Sequence, residues 1–313
     1  MPEIPNLTVY VEQLASRLVG HRLEEARVTS PNLLRTAEPP VAAACGRTLE
    51  RVRRQGKRIV LSFAGDLHLA LHLMIAGRLR WRARGVAAGG RAALATFTFD
   101  HGTLTLTEAG TKRRAALHVL AGADAVRALD GGGVEPLEAD VAAFAAALTR
   151  ENHTLKRALC DPRLFSGIGN AYSDEILFRA RLSPLQLSRN LDAAEITRLR
   201  EATRDVLEEW TARLRAEAGD AFPERVTAFH DEMAVHGRFR QPCRVCGTPI
   251  QRIVQGEHEI NYCPQCQTGG RLLADRALSR LLKSDWPRTI QELEEMRAGL
   301  ALRRGASAPE ERR

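Results

Sequence analysis

The chain has 313 residues, a formal charge of +8 from 46 Lys and Arg against 38 Asp and Glu, and 44% hydrophobic residues. That length predicts two or three domains, and the composition is that of a soluble globular protein. No apolar run approaches the ~20 residues of a bilayer span and no basic-then-apolar leader opens the chain, which predicts a cytoplasmic protein. A surface this basic would attract polyanions in a salt-sensitive way, although charge alone does not say which.

The chain opens Met1-Pro2-Glu3-Ile4-Pro5. Proline in second position permits removal of the initiator methionine, which leaves Pro2 with a free secondary amine. α-Amino groups titrate near ~8, so part of this amine is unprotonated at neutral pH. The positive end of a following helix would lower it further. Attack by a secondary amine on C1′ of a deoxynucleoside gives an iminium that cannot lose a proton from nitrogen and therefore serves as an electron sink for β-elimination. Glu3 stands beside it as an acid for the sugar ring oxygen. The same five residues also read as an ordinary start in which Pro5 stiffens the approach to a helix.

Asn6 reads as the N-cap of a helix over residues 7–18, with Leu7, Val11, Leu14 and Leu18 on one face and Gly20 ending it. Short alternating runs follow at 49–54, 58–63, 67–73, 79–81, 94–99 and 104–107, with Asp100-His101-Gly102 as a hairpin turn. They predict a β-sandwich domain over 1–125, interrupted by a mobile Gly/Ala/Arg-rich loop at 82–91. Arg51, Arg53, Arg54, Lys57 and Arg58 crowd one strand–turn–strand segment, and Lys112-Arg113-Arg114 follows Gly110. Either could meet phosphate or be a solvated charged surface. His72 and Met74 end a strand. Met74 reads as core, or as an apolar wedge filling the gap left by an extruded base.

Gly131-Gly132-Gly133 marks a hinge, and residues 126–150 read as a linker with a first helix. Helical periodicity then appears at 137–148, 170–180 and 192–214, within a domain of 151–240, and Pro223 reads as opening a further short helix. The run from Ser166 to Glu175 is a glycine turn leading into a helix. Its backbone amides and Asn170 suit an anion, though it also reads as a plain helix start. Residues 241–273 hold Cys243-x2-Cys246-x16-Cys263-x2-Cys266. Two such knuckles suit one structural, tetrahedral Zn2+ on a β-hairpin, Gly247 allowing the tight turn. Arg252, His258 and Asn261 lie between the knuckles and could reach a phosphate or a base. Cys45 and Cys160 read as buried small hydrophobes. Residues 274–313 form a tail with helical faces of Leu278, Leu281 and Leu282, then Ile290, Leu293 and Met296, and a disordered end from 303.

Together these residues resemble the formamidopyrimidine-DNA glycosylase and endonuclease VIII family over about residues 2–267, in the family's motif order. Pro2-Glu3 matches its catalytic dipeptide, Lys57 its β-hairpin lysine and Met74 the first of its wedge residues. Residues 133–137 match its interdomain stretch. Gly169-Asn170 with Glu175 matches its helix-two-turn-helix core, and Val235-His236-Gly237-Arg238 leads into the zinc ribbon as in the family.

The resemblance implies an α+β fold: an N-terminal β-sandwich with a helix, a helix-two-turn-helix domain and a C-terminal zinc ribbon. It implies a monomeric glycosylase and abasic-site lyase that flips oxidised bases from duplex DNA. Pro2 and Glu3 would be catalytic with Lys57. Met74, Lys112, Arg113, Asn170 and His258 would contact DNA, and Cys243, Cys246, Cys263 and Cys266 would hold zinc. Departures from the pattern are Asn6 where the family has Glu, the absence of an Arg-Phe wedge pair in the run 111–115, His258 in place of an arginine, and the longer tail. An abasic-site lyase without base release, a non-catalytic binder of damaged DNA and an RNA-binding zinc-ribbon protein are the competing readings.

Overall fold

The computed structural model describes residues 1–84, 86, 92–109, 112–224, 226–227, 229–255, 258–274 and 286–305. The chain divides into two compact units. One comprises Met1–Arg150, Leu159–Gly169 and Thr203–His230; the other comprises Glu151–Ala158, Asn170–Ala202 and Asp231–Arg313.

The first unit opens with helix α1 (Ile4–Leu18). Strands β1 (Leu23–Val28), β2 (Leu49–Gln55), β3 (Arg58–Phe63), β4 (Leu67–His72), β5 (Gly77–Ala83), β6 (Ala93–Phe99), β7 (Gly102–Glu108) and β8 (Ala116–Ala121) follow. They form two antiparallel four-stranded sheets, ordered β1-β6-β7-β5 and β2-β3-β4-β8. Alternation along the strands sends Leu61, Phe63, Leu69 and Leu71 from one sheet, and Phe97, Phe99, Leu104 and Leu106 from the other, into one core. Leu7, Tyr10, Leu14 and Leu18 of α1 join that core. This is the expected sandwich with an N-terminal helix.

Several expectations require correction. Helix α1 begins at Ile4, so Asn6 lies inside its first turn and Glu3 is the N-cap. A proline early in the helix costs no hydrogen bond, because the first N–H groups have no partner within the helix. Strands β1 and β8 escaped the sequence reading: β1 (LEEARV) is an edge strand too charged to alternate cleanly, and β8 (ALHVLA) is rich in helix formers. Among the described residues no helix opens at Pro223, since 222–224, 226–227 and 229–230 are irregular. Gly131-Gly132-Gly133 is tied down: Gly133 N–H donates to Pro162 O at 3.1 Å, and a Cβ on Gly131 would lie 2.5 Å from that same oxygen. Most of the 82–91 loop lies outside the described residues.

Short helices α2 (Ala123–Arg127) and α3 (Val141–Thr149) lead on from the sandwich. The latter starts later than expected because Asp140 caps it, accepting from Ala143 N–H at 2.7 Å. Helix α4 (Leu155–Cys160) begins in the second unit and ends in the first, while α6 (Ala193–Ala218) does the same.

The second unit contains α5 (Asn170–Arg179), the hairpin of β9 (Gln251–Gln255) and β10 (His258–Tyr262), and α7 (Pro264–Thr268). Two consecutive carboxylates of α5 organise it. Asp174, fully buried, accepts from Lys156 Nζ at 2.5 Å, His236 Nδ1 at 2.8 Å and Asn261 N–H at 3.1 Å. Glu175 accepts the main-chain N–H groups of Ala234, Val235 and His236 at 2.7–2.9 Å. Burial pushes the Glu175 carboxyl above its ordinary range, and those three donors pull it back. A helix spans Ile290–Gly305, so the expected disorder does not begin at 303; residues 278, 281 and 282 lie outside the described residues. No described helix is long and apolar enough to cross a membrane.

Candidate functional site

In the first unit the N-terminal residues fold inward. Pro2 is buried and Glu3 is only 2% exposed. Asn6 Oδ1 accepts from Glu3 N–H at 3.2 Å, one half of a capping box that fixes the start of α1. The Glu3 carboxylate accepts from Gly169 N–H at 2.6 Å. The backbone amide that the sequence offered to a phosphate is therefore held by the protein's own anion. Lys57 arrives from the turn between β2 and β3, where Gly56 has φ +56°.

Gly169 is where these groups meet. A Cβ on it would lie 2.6 Å from Glu3 Cδ and 2.8 Å from Lys57 Nζ. Gly169→Ala is expected to force both groups aside and to lower the rate of base release by roughly 100-fold, since misplacement by about 1 Å costs that much. Single-turnover kinetics alongside urea unfolding would check it, with a rate loss much larger than the stability loss as the expected outcome.

Burial lowers the pKa of the Met1 amine, at the N-terminus before methionine removal, below its ordinary value. Glu3 works against the shift, and Arg78 and Lys57 add to it. His72 lies within reach of the same field. Burial, then the charges of Arg58 and Lys57, push it down to about 4, so it is neutral at physiological pH. Its Nδ1 accepts from Met74 N–H at 3.1 Å, which leaves the ring proton on Nε2.

Met74 is half-buried with φ +52°, in the left-handed region that a long side chain rarely adopts. The residue that projects from this turn is Ile75, at 60% exposure. Sequence reasoning missed it, although an apolar residue between two strand ends was the available signal. Lys112 and Arg113 are exposed, in a segment anchored by buried Glu108, which accepts from Arg114 and Ala115 N–H at 2.9–3.0 Å. A cavity of about 320 Å³ opens in this unit beside α1, lined by Asn6, Val9, Leu214, Phe222, Val226 and Thr227 among others. Cys45 and Cys160 are half-buried rather than buried, and Cys160 Sγ donates to Gly169 O at 3.3 Å.

Asn170 and His258 belong to the second unit. Asn170 Nδ2 donates to Glu259 O of β10 at 3.0 Å, so the start of α5 is joined to the hairpin. His258 opens β10 opposite Gln255; its side chain is outside what is described. Near the hairpin, Cys243, Cys246, Cys263 and Cys266 bring their sulfurs within 4.8 Å of one another. The Cys243–Cys266 and Cys246–Cys263 Sγ separations are 4.0 and 3.4 Å. A tetrahedral ion with Zn–S bonds of about 2.3 Å needs separations of about 3.8 Å, so the set fits Zn2+. Gly247 at φ +74° makes the expected turn after the first knuckle.

The Formamidopyrimidine-DNA glycosylase N-terminal domain family matches residues 1–117, the Formamidopyrimidine-DNA glycosylase H2TH domain family residues 133–216, and the zinc finger found in FPG and IleRS residues 240–269. The formamidopyrimidine-DNA glycosylase of Variovorax paradoxus is 33% identical over 284 residues, covering 85% of this chain and 100% of that protein. That of Albidiferax ferrireducens is 34% identical over 278 residues, covering 85% and 99%. The crystal structure of the MutM (FPG) protein from Thermus thermophilus matches with a TM-score of 0.72 at 30% identity, over 85% of this chain and 98% of that one. With three domain families in order and full-length relatives above 30% identity, the chain belongs to the formamidopyrimidine-DNA glycosylase family.

Proposed function

We propose that this chain excises oxidised bases from duplex DNA and nicks the strand at the resulting abasic site, with Pro2 as nucleophile. Removal of Met1 exposes the Pro2 secondary amine. Its lone pair attacks C1′ as the glycosidic bond breaks, and the base leaves with the bonding electrons and takes a proton from water. The Glu3 carboxylate takes the proton from the Pro2 nitrogen and passes it to the ring oxygen, which opens the sugar to an iminium. Loss of a C2′ proton then expels the 3′-phosphate, and water hydrolyses the adduct to regenerate the amine.

The remaining residues take supporting roles. Lys57 and the Nε2–H of His72 neutralise or donate to backbone phosphate near the lesion, and Lys112, Arg113 and Asn170 add contacts along the duplex. The wedge that occupies the vacated space is the Met74–Ile75 turn, with Ile75 as its tip. The cavity beside Asn6 receives the extruded base. The zinc held by the four cysteines is structural, because four thiolates leave no open position. Work on chromosomal DNA would place the enzyme in the cytoplasm, at the nucleoid.

The observation that carries this reading is the meeting of Glu3 and Lys57 over Gly169, with Pro2 next to Glu3 in the chain. Borohydride reduction during turnover tests it on duplexes bearing an abasic site, 8-oxoguanine or an oxidised pyrimidine. A covalent adduct mapped to Pro2 by mass spectrometry is expected, and the duplex giving most adduct ranks the substrates. Trapping confined to preformed abasic sites would reduce the enzyme to a lyase. Binding without any trapping would make it a reader of damaged DNA.

A further inference from the structure

The first unit carries a second cluster of ligand-type side chains that the reaction does not use. Asp100 and His101 form the two-residue turn between β6 and β7, and His21 follows the end of α1. His21 Nδ1 lies 2.7 Å, and His101 Nδ1 2.8 Å, from the same Asp100 Oδ1. The two imidazoles stack with centroids 3.7 Å apart, and Trp81 backs His101 at 5.1 Å. Strands β5 and β7 pair from Gly77–Glu108 at one end to Ala83–Gly102 at the other. The cluster therefore lies roughly 20 Å, seven strand residues, from the Met74–Ile75 turn.

We propose that His21, Asp100 and His101 form a site for a first-row divalent transition ion, separate from the cysteine-held zinc. Two imidazole nitrogens and one carboxylate oxygen are the donor set such ions select, and here all three atoms fall within 4.8 Å of one another. Ligand atoms bound side by side on one ion at about 2.1 Å lie about 3 Å apart, close to the two nitrogen–oxygen separations of 2.7 and 2.8 Å.

The backbone is already committed to this arrangement. Leu49 N–H donates to His21 O at 2.9 Å, Asp100 N–H to Arg22 O at 3.3 Å, and Arg84 N–H to His101 O at 3.0 Å. Asp100 Oδ2 accepts from Arg22 N–H at 3.5 Å, which turns Oδ1 toward the rings. The nearby Arg84 guanidinium is partly offset by Glu24 at 3.6 Å. The three side chains are 36–43% exposed, so water can complete the coordination. The ion would clasp the chain after α1 to the β6–β7 turn, which raises stability without entering the chemistry.

Full-length protein carrying one zinc per chain is dialysed against graded free Zn2+, and bound metal is counted after dialysis. The expected result is a second equivalent, with a rise in Tm that tracks its uptake. His101→Gln and His21→Gln are each expected to weaken the second equivalent by about tenfold or more. Both should retain the first zinc and the borohydride adduct at Pro2, which shows that they are folded. The proposal is overturned if the wild type takes up no second zinc, or if both variants hold it as tightly as the wild type does.

Discussion

Glu3→Gln is expected to lower single-turnover release of an oxidised base by about 10²–10⁴-fold, the usual contribution of a positioned general acid. The amide keeps the volume of the carboxylate and an oxygen able to accept from Gly169 N–H, so the N-terminal fold should persist. What it loses is a carboxylate able to take up and pass on a proton, with its negative charge near the Lys57 ammonium. The loss should be smaller on a preformed abasic site, because its open-chain aldehyde needs no glycosidic bond broken before Pro2 adds. The measurement is release and nicking on matched duplexes, with the urea midpoint as control. Equal rates for Glu3→Gln and the wild type on an oxidised base would remove Glu3 from the mechanism.

Loss of the zinc should be the largest perturbation to the second unit. Structural zinc binding in small domains contributes on the order of 10–16 kcal/mol, and an isolated two-stranded hairpin is marginal by itself. The ribbon core of Val235, Ile250, Cys243 and Cys263 is too small to replace that contribution. Cys263→Ser, at a fully buried ligand, is expected to abolish zinc uptake at that site and to loosen β9–β10. The loosening should reach Asn170, whose side chain is held by the Glu259 carbonyl, and duplex binding should fall by about 10–100-fold or more. Metal analysis and salt-matched DNA titrations check this. Undiminished duplex affinity in a zinc-free variant would show that the ribbon does not support DNA binding.

The sequence disclosed most where chemistry is local. The cysteine spacing gave the ribbon, and alternating strands with an Asp-His-Gly turn gave the sandwich. It disclosed least where a role depends on distant partners. Asn6 has the composition of a cap, yet Pro5 lies in the helix and the cap is Glu3, tied to Asn6 by a capping box, while its carboxylate also finds a donor at residue 169. Nothing near Gly169 in the chain reports that two side chains from elsewhere fill the space of its missing Cβ. Ile75 was passed over because exposure is a property of the turn rather than of the residue. The charged edge strand β1 was invisible to a search for alternation, since its outward side carries Glu24 and Glu25 in succession.

The order of the two sheets bears on self-association. Four strands lie at edges, and each edge is a row of main-chain groups able to recruit a strand from another molecule. Strand β2 presents Glu50, Arg51 and Arg53, β5 presents Arg78, Arg80 and Arg82, and β1 presents Glu24, Glu25 and Arg27. A second copy docking on β5 would bring its arginines together, and docking on β1 or β2 would strip water from charges of both signs. The fourth edge, β8, is shielded differently: Arg35 N–H donates to Leu117 O at 2.9 Å, and Thr36 Oγ1 accepts from Val119 N–H at 2.8 Å. Charged side chains thus line three of these margins, and the Arg35–Thr36 segment covers the fourth.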